Sequence, residues 1–277
     1  MPSRSVEEIR ERLYETAGDP GSDPATGALW IAAEEYPELD VDAYRGYLTD
    51  LAERVTRAVA SDASADAVQK AMAQEIFETE GFTGNANDYY DPRNSYLNDV
   101  IDRRVGIPIT LAVVYLSVAR TLGRTASGLN TPGHFLVVDE GAVLDPFHGG
   151  RVVERDALLA QMEQAGSRQP SAQLEQILQN PTDTRGVLTR MLVNLRMNHL
   201  RRKDQDRALT AVDRLVHVDP ENPTWLRDRG ALFQRLDCPG AAVSDLKAYL
   251  ERAPEDPEAD VIQQFIDRLT RDLPPLQ

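Results

Sequence analysis

From Thr189 onward the chain repeats itself: Leu192 and Leu226, Ala208 and Ala242, Leu215 and Tyr249, and Pro220 and Pro254 each stand thirty-four residues apart. That period is the length of one two-helix hairpin, a unit that cannot bury its apolar face alone and must stack on a neighbour. It restricts the C-terminal third to an all-α array more tightly than any helix propensity does. Two repeats are expected, at about 189–222 and 223–256. Val261 to Leu273 then supplies a capping helix, within about 257–273, over the last apolar face. So short an array is expected to dock against the part that precedes it. It serves either as a groove for a protein or peptide, or as a buttress.

The rest of the chain is long enough for one larger domain with its own core. Small polar residues in Gly166-Ser167-Arg168-Gln169-Pro170 mark the expected boundary, giving domains 1–168 and 169–277. Residues 1–80 read as helices. Ser5 and Glu8 form a capping box, a second helix begins around Ala28 and stops near Tyr36-Pro37, and Asp42 to Val59 carries Tyr44, Tyr47, Leu48, Leu51 and Val55 on one apolar stripe read as core. Gly81 to Asp88 reads as a loop without the glycine–lysine pattern of a phosphate cradle. A helix is expected to start at Asn94 or Ser95. A second opens at Pro108, where proline's fixed φ and missing donor are harmless, and its apolar residues on nearly every side bury it centrally. Strands are expected at 125–129, 134–138, 142–145 and 151–153, forming a small antiparallel sheet.

Chemistry concentrates between Asn94 and Gly150. His134 and Asp145 are eleven residues apart, on strands joined through Asp139-Glu140-Gly141, so their side chains can meet on one face. A histidine oriented by a carboxylate, facing the start of a buried helix, is the layout of cysteine-nucleophile enzymes. Cys238 is the only cysteine and lies far from this block, which excludes an internal disulfide and a multi-cysteine zinc site.

The motifs Gly81-Phe82-x-Gly84-Asn85, Tyr89-Tyr90-Asp91-Pro92-Arg93-Asn94-Ser95-Tyr96-Leu97-Asn98 and Arg103-Arg104-x-Gly106-Ile107-Pro108-Ile109 occur in order. Pro132-Gly133-His134-Phe135 and Asp145-Pro146-Phe147-x-Gly149-Gly150 follow them. With the repeats, they make the chain resemble the bacterial SirB-type branch of the transglutaminase-like superfamily, whose members join a transglutaminase-like core to C-terminal tetratricopeptide repeats. The resemblance implies an α+β fold: a mainly helical, papain-like core with a small antiparallel sheet, then an all-α tetratricopeptide array. Transglutaminase cores carry Gly-x-Cys-x-x-x-Ala at the central helix. Here Gly106-Ile107-Pro108 through Ala112 puts Pro108 in the nucleophile's place, so the resemblance implies a pseudoenzyme. The branch's loose link to up-regulated invasion-gene expression implies a regulatory or scaffolding role.

Proline has no lone pair or proton to offer a carbonyl carbon. A residual hydrolase or acyltransferase on amide or peptide bonds would need a hydroxyl from Ser95, Thr110 or Ser117, with His134 as base and Asp145 behind it. Alternatively, His134 and Asp145 pin the sheet to the helix, or they sit in a binding cleft with Asn94, Ser95, Asn98, Asp99, Arg103 and Thr110. His134, Asp145 and His148 are also a ligand set acceptable to zinc or ferrous iron. Their spacing matches no familiar metal motif, and His148 reads as a turn residue, so neither metal nor cofactor is expected.

The formal charge of −15 argues against nonspecific nucleic-acid binding, and Arg201-Arg202-Lys203 reads as a solvated helix end. No apolar stretch reaches membrane-spanning length and no signal peptide opens the chain, so a cytoplasmic location is expected. Partners are expected to be proteins or peptides, engaged through the repeats and the cleft.

Overall fold

The computed structural model describes residues 4–272. Its helices and strands, in order, are α1 (Val6–Gly18), α2 (Pro24–Glu35), α3 (Val41–Ala58), α4 (Ala65–Ala73), β1 (Thr83–Gly84), α5 (Leu97–Arg103), β2 (Val105–Gly106) and α6 (Pro108–Thr121). Next come β3 (Ala126–Thr131), β4 (His134–Asp139), β5 (Ala142–Asp145), β6 (Arg151–Val152), α7 (Arg155–Gln164) and α8 (Pro170–Gln179). The last five helices are α9 (Thr184–Arg201), α10 (Gln205–Val218), α11 (Thr224–Arg235), α12 (Pro239–Arg252) and α13 (Ala259–Asp272).

The expected α+β architecture is present. The first unit, 1–191, is built around α6, whose residues Pro108 to Ala119 are all buried. No face of that segment is polar, so neighbours must surround it. α2, α3 and the β3–β4 hairpin do so. The four-stranded sheet runs β3-β4-β5-β6, every pair antiparallel. Its β4–β5 turn consists of Glu140 and Gly141, both at positive φ (49° and 88°), the backbone that a two-residue hairpin loop requires. Beyond the sequence reading, β1 and β2 pair in parallel, Thr83 with Val105 and Gly84 with Gly106, and tie the glycine-rich loop beside the start of α6.

Two local expectations shift. The helix expected from Asn94 or Ser95 starts later, at Leu97, after a 3-10 turn over Pro92–Asn94 that Asp91 caps through Arg93 N. Asn94 instead spends its side chain on the carbonyls of Asp88 and Tyr89. On α3, Leu48, Leu51 and Val55 are core, but Tyr44 and Tyr47 stand at its rim, their hydroxyls donating to Asp102 and Glu80.

The division between units falls inside α9, at Met191/Leu192, and not near 168. The break at Gly166 is only a turn, because Leu158 and Met162 of α7 and Leu174 of α8 share one apolar cluster with Leu129 and Leu136 of the sheet and with Val153 just after β6. In the second unit, 192–277, α10 and α12 begin at Gln205 and Pro239 and end at Val218 and Arg252, thirty-four residues apart at both ends. Ala208, Val212 and Leu232 form one apolar layer, and Val243, Leu246 and Ile266 the next, so α13 covers the end of the stack. Leu273, the expected last residue of the cap, lies outside the described residues. Arg229 bridges α10 and α12, donating to Asp213 at 2.6 Å and to both oxygens of Asp245 at 2.7 and 2.8 Å. Those hydrogen bonds, against the cost of burial, hold its guanidinium more firmly protonated than usual.

Candidate functional site

The hairpin register sets the site. β4 and β5 pair Val137 with Leu144 and Asp139 with Ala142, so Asp145 and His134 are diagonal neighbours on one face. His134 Nε2 lies 2.9 Å from Asp145 Oδ1. The chain then turns through a 3-10 segment, Pro146–His148, with Gly149 at φ 75° closing it. This turn carries His148 back over the same carboxylate, its Nδ1 2.7 Å from Asp145 Oδ2. Asp145 Oδ1 also accepts from Phe147 N at 3.1 Å, and Arg151 stands 3.8 Å from Oδ2.

Asp145 is fully buried, whereas the side chains of His134 and His148 are 21% and 49% exposed. Burial alone would raise the Asp145 pKa. The hydrogen bonds and charges of His134 and then His148 outweigh it and hold the carboxyl below the usual carboxylate range. Phe147 packs edge-on to His134, His148 and Tyr89, walling one side, and leaves no room for a Cβ on Gly84. A cavity of about 300 Å³ borders the site, lined by His134, Asp145, His148, Pro132, Gly133, Gln161 and Gln164 of α7, and Ala165 just after it.

The hydroxyls weighed as substitute nucleophiles are elsewhere. Thr110 Oγ1 donates to Asn94 O at 2.8 Å and accepts from Ile107 N at 3.1 Å, an internal cap for α6. Ser117 Oγ donates to Asp23 at the start of α2. Ser95 Oγ is fully buried and has no hydrogen-bond partner among the described residues, His134 included. Pro108 is buried at the first position of α6, which packs against β4 and the 146–148 turn. Among the described residues, no hydrogen bond reaches His134 Nδ1.

Of the eight residues expected to line one cleft, only His134 and Asp145 border this cavity. Asn94 is fully buried, with Oδ1 accepting from Asn85 at 3.1 Å and Arg103 at 3.4 Å. Arg103 also lies 3.7 Å from Asp91. Asp99 accepts from the Tyr36 hydroxyl at 2.6 Å, and Asn98 is buried with its Oδ1 unpartnered among the described residues. These groups fasten the 85–94 loop and α5 to the core, which explains their polarity without a ligand. His148, grouped with His134 and Asp145 in the sequence, does border the cavity; the α7 residues Gln161 and Gln164 carry no chemical signature in the sequence that could have announced them.

The transglutaminase-like superfamily pattern matches residues 42–193, and a tetratricopeptide-repeat pattern matches 195–267. A UPF0162 protein of Xylella fastidiosa (strain Temecula1) is 38% identical over 88% of this chain and 89% of its own length. UPF0162 proteins of Pseudomonas aeruginosa (31% identical, 80% of this chain and 82% of the relative) and Vibrio cholerae (29%, 89% and 92%) are also similar. The chain therefore belongs to the UPF0162 family of transglutaminase-like proteins with C-terminal tetratricopeptide repeats. No solved structure matches it. Tetratricopeptide repeats generally mediate protein–protein interaction. No helix among the described residues is long and apolar enough to cross a membrane.

Proposed function

We propose that this protein is a transglutaminase-like pseudoenzyme that acts as a cytoplasmic regulatory or scaffold protein, binding a protein or peptide through its repeats and its His134 cavity. The observation that carries this reading is the company His134 keeps. Its Nε2 is held by Asp145, and among the described residues neither thiol nor hydroxyl is bonded to Nδ1. Proline occupies the start of α6, and the Thr110 hydroxyl is committed to backbone. Covalent catalysis needs a nucleophile within hydrogen-bond reach of its base.

The intact His134–Asp145 pair supports a second reading, a hydrolase or acyltransferase on amide or peptide bonds. Ser95 is the hydroxyl left uncommitted for it. Fluorogenic amides and a displayed peptide library, each tested on wild type and His134→Ala, separate the two. Binding that survives His134→Ala and is lost on charge reversal along the exposed faces of α9 and α11 supports the scaffold. Hydrolysis abolished by His134→Ala sinks it.

A further inference from the structure

We propose that His134, Asp145 and His148 form a binding site for one divalent transition-metal ion of the zinc or ferrous class, open toward the cavity beside α7. The linear spacing of these residues resembles no metal motif, but ligand sets are defined in space. His134 comes from a strand, Asp145 from the end of the next, and His148 from the turn that follows. One ligand atom from each lies within 4.8 Å of the others. Both imidazoles aim a ring nitrogen at the two oxygens of the same carboxylate, at 2.9 and 2.7 Å.

Two imidazoles and one carboxylate suit zinc, ferrous iron and cobalt, and three protein ligands leave coordination positions for water or a ligand carboxylate. All three residues line the cavity of about 300 Å³, so those positions face a space large enough for a small ligand. Gln161 and Gln164 line it too, offering amide groups that can bond a metal-bound water. The support that orients metal ligands is also present: Phe147 N donates to Asp145 Oδ1, and Phe147 packs against both imidazoles. A plain structural pin for the hairpin needs only His134. The second imidazole, half in solvent, adds little to folding and much to chelation.

On binding, each ring nitrogen gives up the hydrogen that it donates to Asp145. The proton moves to the other nitrogen of a neutral ring, or to solvent from a charged one, and the lone pair goes to the metal. Among the described residues, the nearby cation that competes for the carboxylate is the Arg151 guanidinium, 3.8 Å from Asp145 Oδ2 and 56% exposed, which is free to turn outward. The proposal goes beyond the pseudoenzyme reading and does not depend on it, since a metal site serves binding and catalysis alike.

The test is calorimetric titration of chelator-treated full-length protein with zinc chloride, paired with the visible spectrum after cobalt(II) chloride. One ion per chain is expected, with cobalt ligand-field bands of a low-coordinate nitrogen–oxygen site. His148→Ala should weaken zinc by more than the roughly 10–100-fold that loss of an outer partner costs. Arg151→Gln should tighten it. His217→Ala, in the second unit, should change neither reading and serves as the control. His148 is exposed enough for its alanine variant to fold, and circular dichroism checks that. Absence of stoichiometric zinc binding, or binding that His148→Ala leaves unchanged, overturns the site. Neither result bears on whether His134-dependent hydrolysis exists, so the two proposals fail separately.

Discussion

Asp139 and Asp145 stand at opposite ends of the same β4–β5 hairpin, both fully buried, yet they have opposite surroundings. Asp139 accepts from the Tyr115 hydroxyl at 2.6 Å and from Arg124 Nε at 3.0 Å, while its carbonyl accepts from Gln69. Burial, and then the bond to Asp139, push the Tyr115 phenol far above its ordinary pKa, so that hydroxyl keeps its proton for the bond near neutrality. Asp145 is satisfied by two imidazoles, whose ring nitrogens are themselves potential ligand atoms, and it borders a cavity. A carboxylate locked by arginine and tyrosine fixes a fold. One shared by a half-buried and an exposed histidine at the edge of a cavity is what the proposed metal site requires.

The largest effect that tests this contrast is at the locked end. Asp139→Ala leaves Arg124 and Tyr115 buried without their acceptor and should cost about 3–5 kcal/mol, seen as a large fall in Tm. A loss as small as that of a surface substitution would remove the contrast. Asp145→Asn keeps the volume and an acceptor and should cost about 1–3 kcal/mol, while abolishing zinc binding. Equal losses at the two aspartates would mean that both are structural pins.

A third carboxylate sharpens the rule. Burial would raise the Glu80 pKa, but the Tyr47 hydroxyl and the charges of Arg104 and Arg54 hold it below the usual carboxylate value. A depressed folded-state pKa gives stability that is present above the unfolded value of about 4.3 and is lost as pH falls through the lower folded value. Glu80→Gln should therefore cost about 1 kcal/mol at neutral pH and flatten the acid limb of the stability profile in urea titrations. The smallest effect is expected at His148: His148→Ala should change stability by less than about 1 kcal/mol, because half of the side chain is solvated.

What could be read beforehand followed from periodicity. A thirty-four-residue repeat can be seen by aligning the chain with itself, and the helices it implied recur at that interval, from Gln205 to Pro239. An apolar run from Pro108 to Ala119 can only be a buried helix. A hairpin centred on Glu140-Gly141 places His134 and Asp145 on one face by parity alone. The rest depended on three-dimensional placement. Two-residue strands such as β1 and β2 have no period. The apolar residues of α7 and α8 do not announce which unit they join, and Leu174 joins the sheet. Asn94, Asp99 and Arg103 looked like cleft residues because they are polar and clustered, yet polarity is equally the mark of a loop fastened from inside. His148 looked like a turn residue, which it is; only the turn's direction brings it onto Asp145.

The claim on which the functional account rests is that Pro108 occupies the nucleophile's place opposite His134. Pro108→Cys in a Cys238→Ala background tests it, read as the pH dependence of alkylation by iodoacetamide with and without His134→Ala. The account predicts a thiol titrating well below the ordinary value of about 8.5 that returns toward it when His134 is removed. A cysteine there that titrates ordinarily, or is indifferent to His134→Ala, would contradict it.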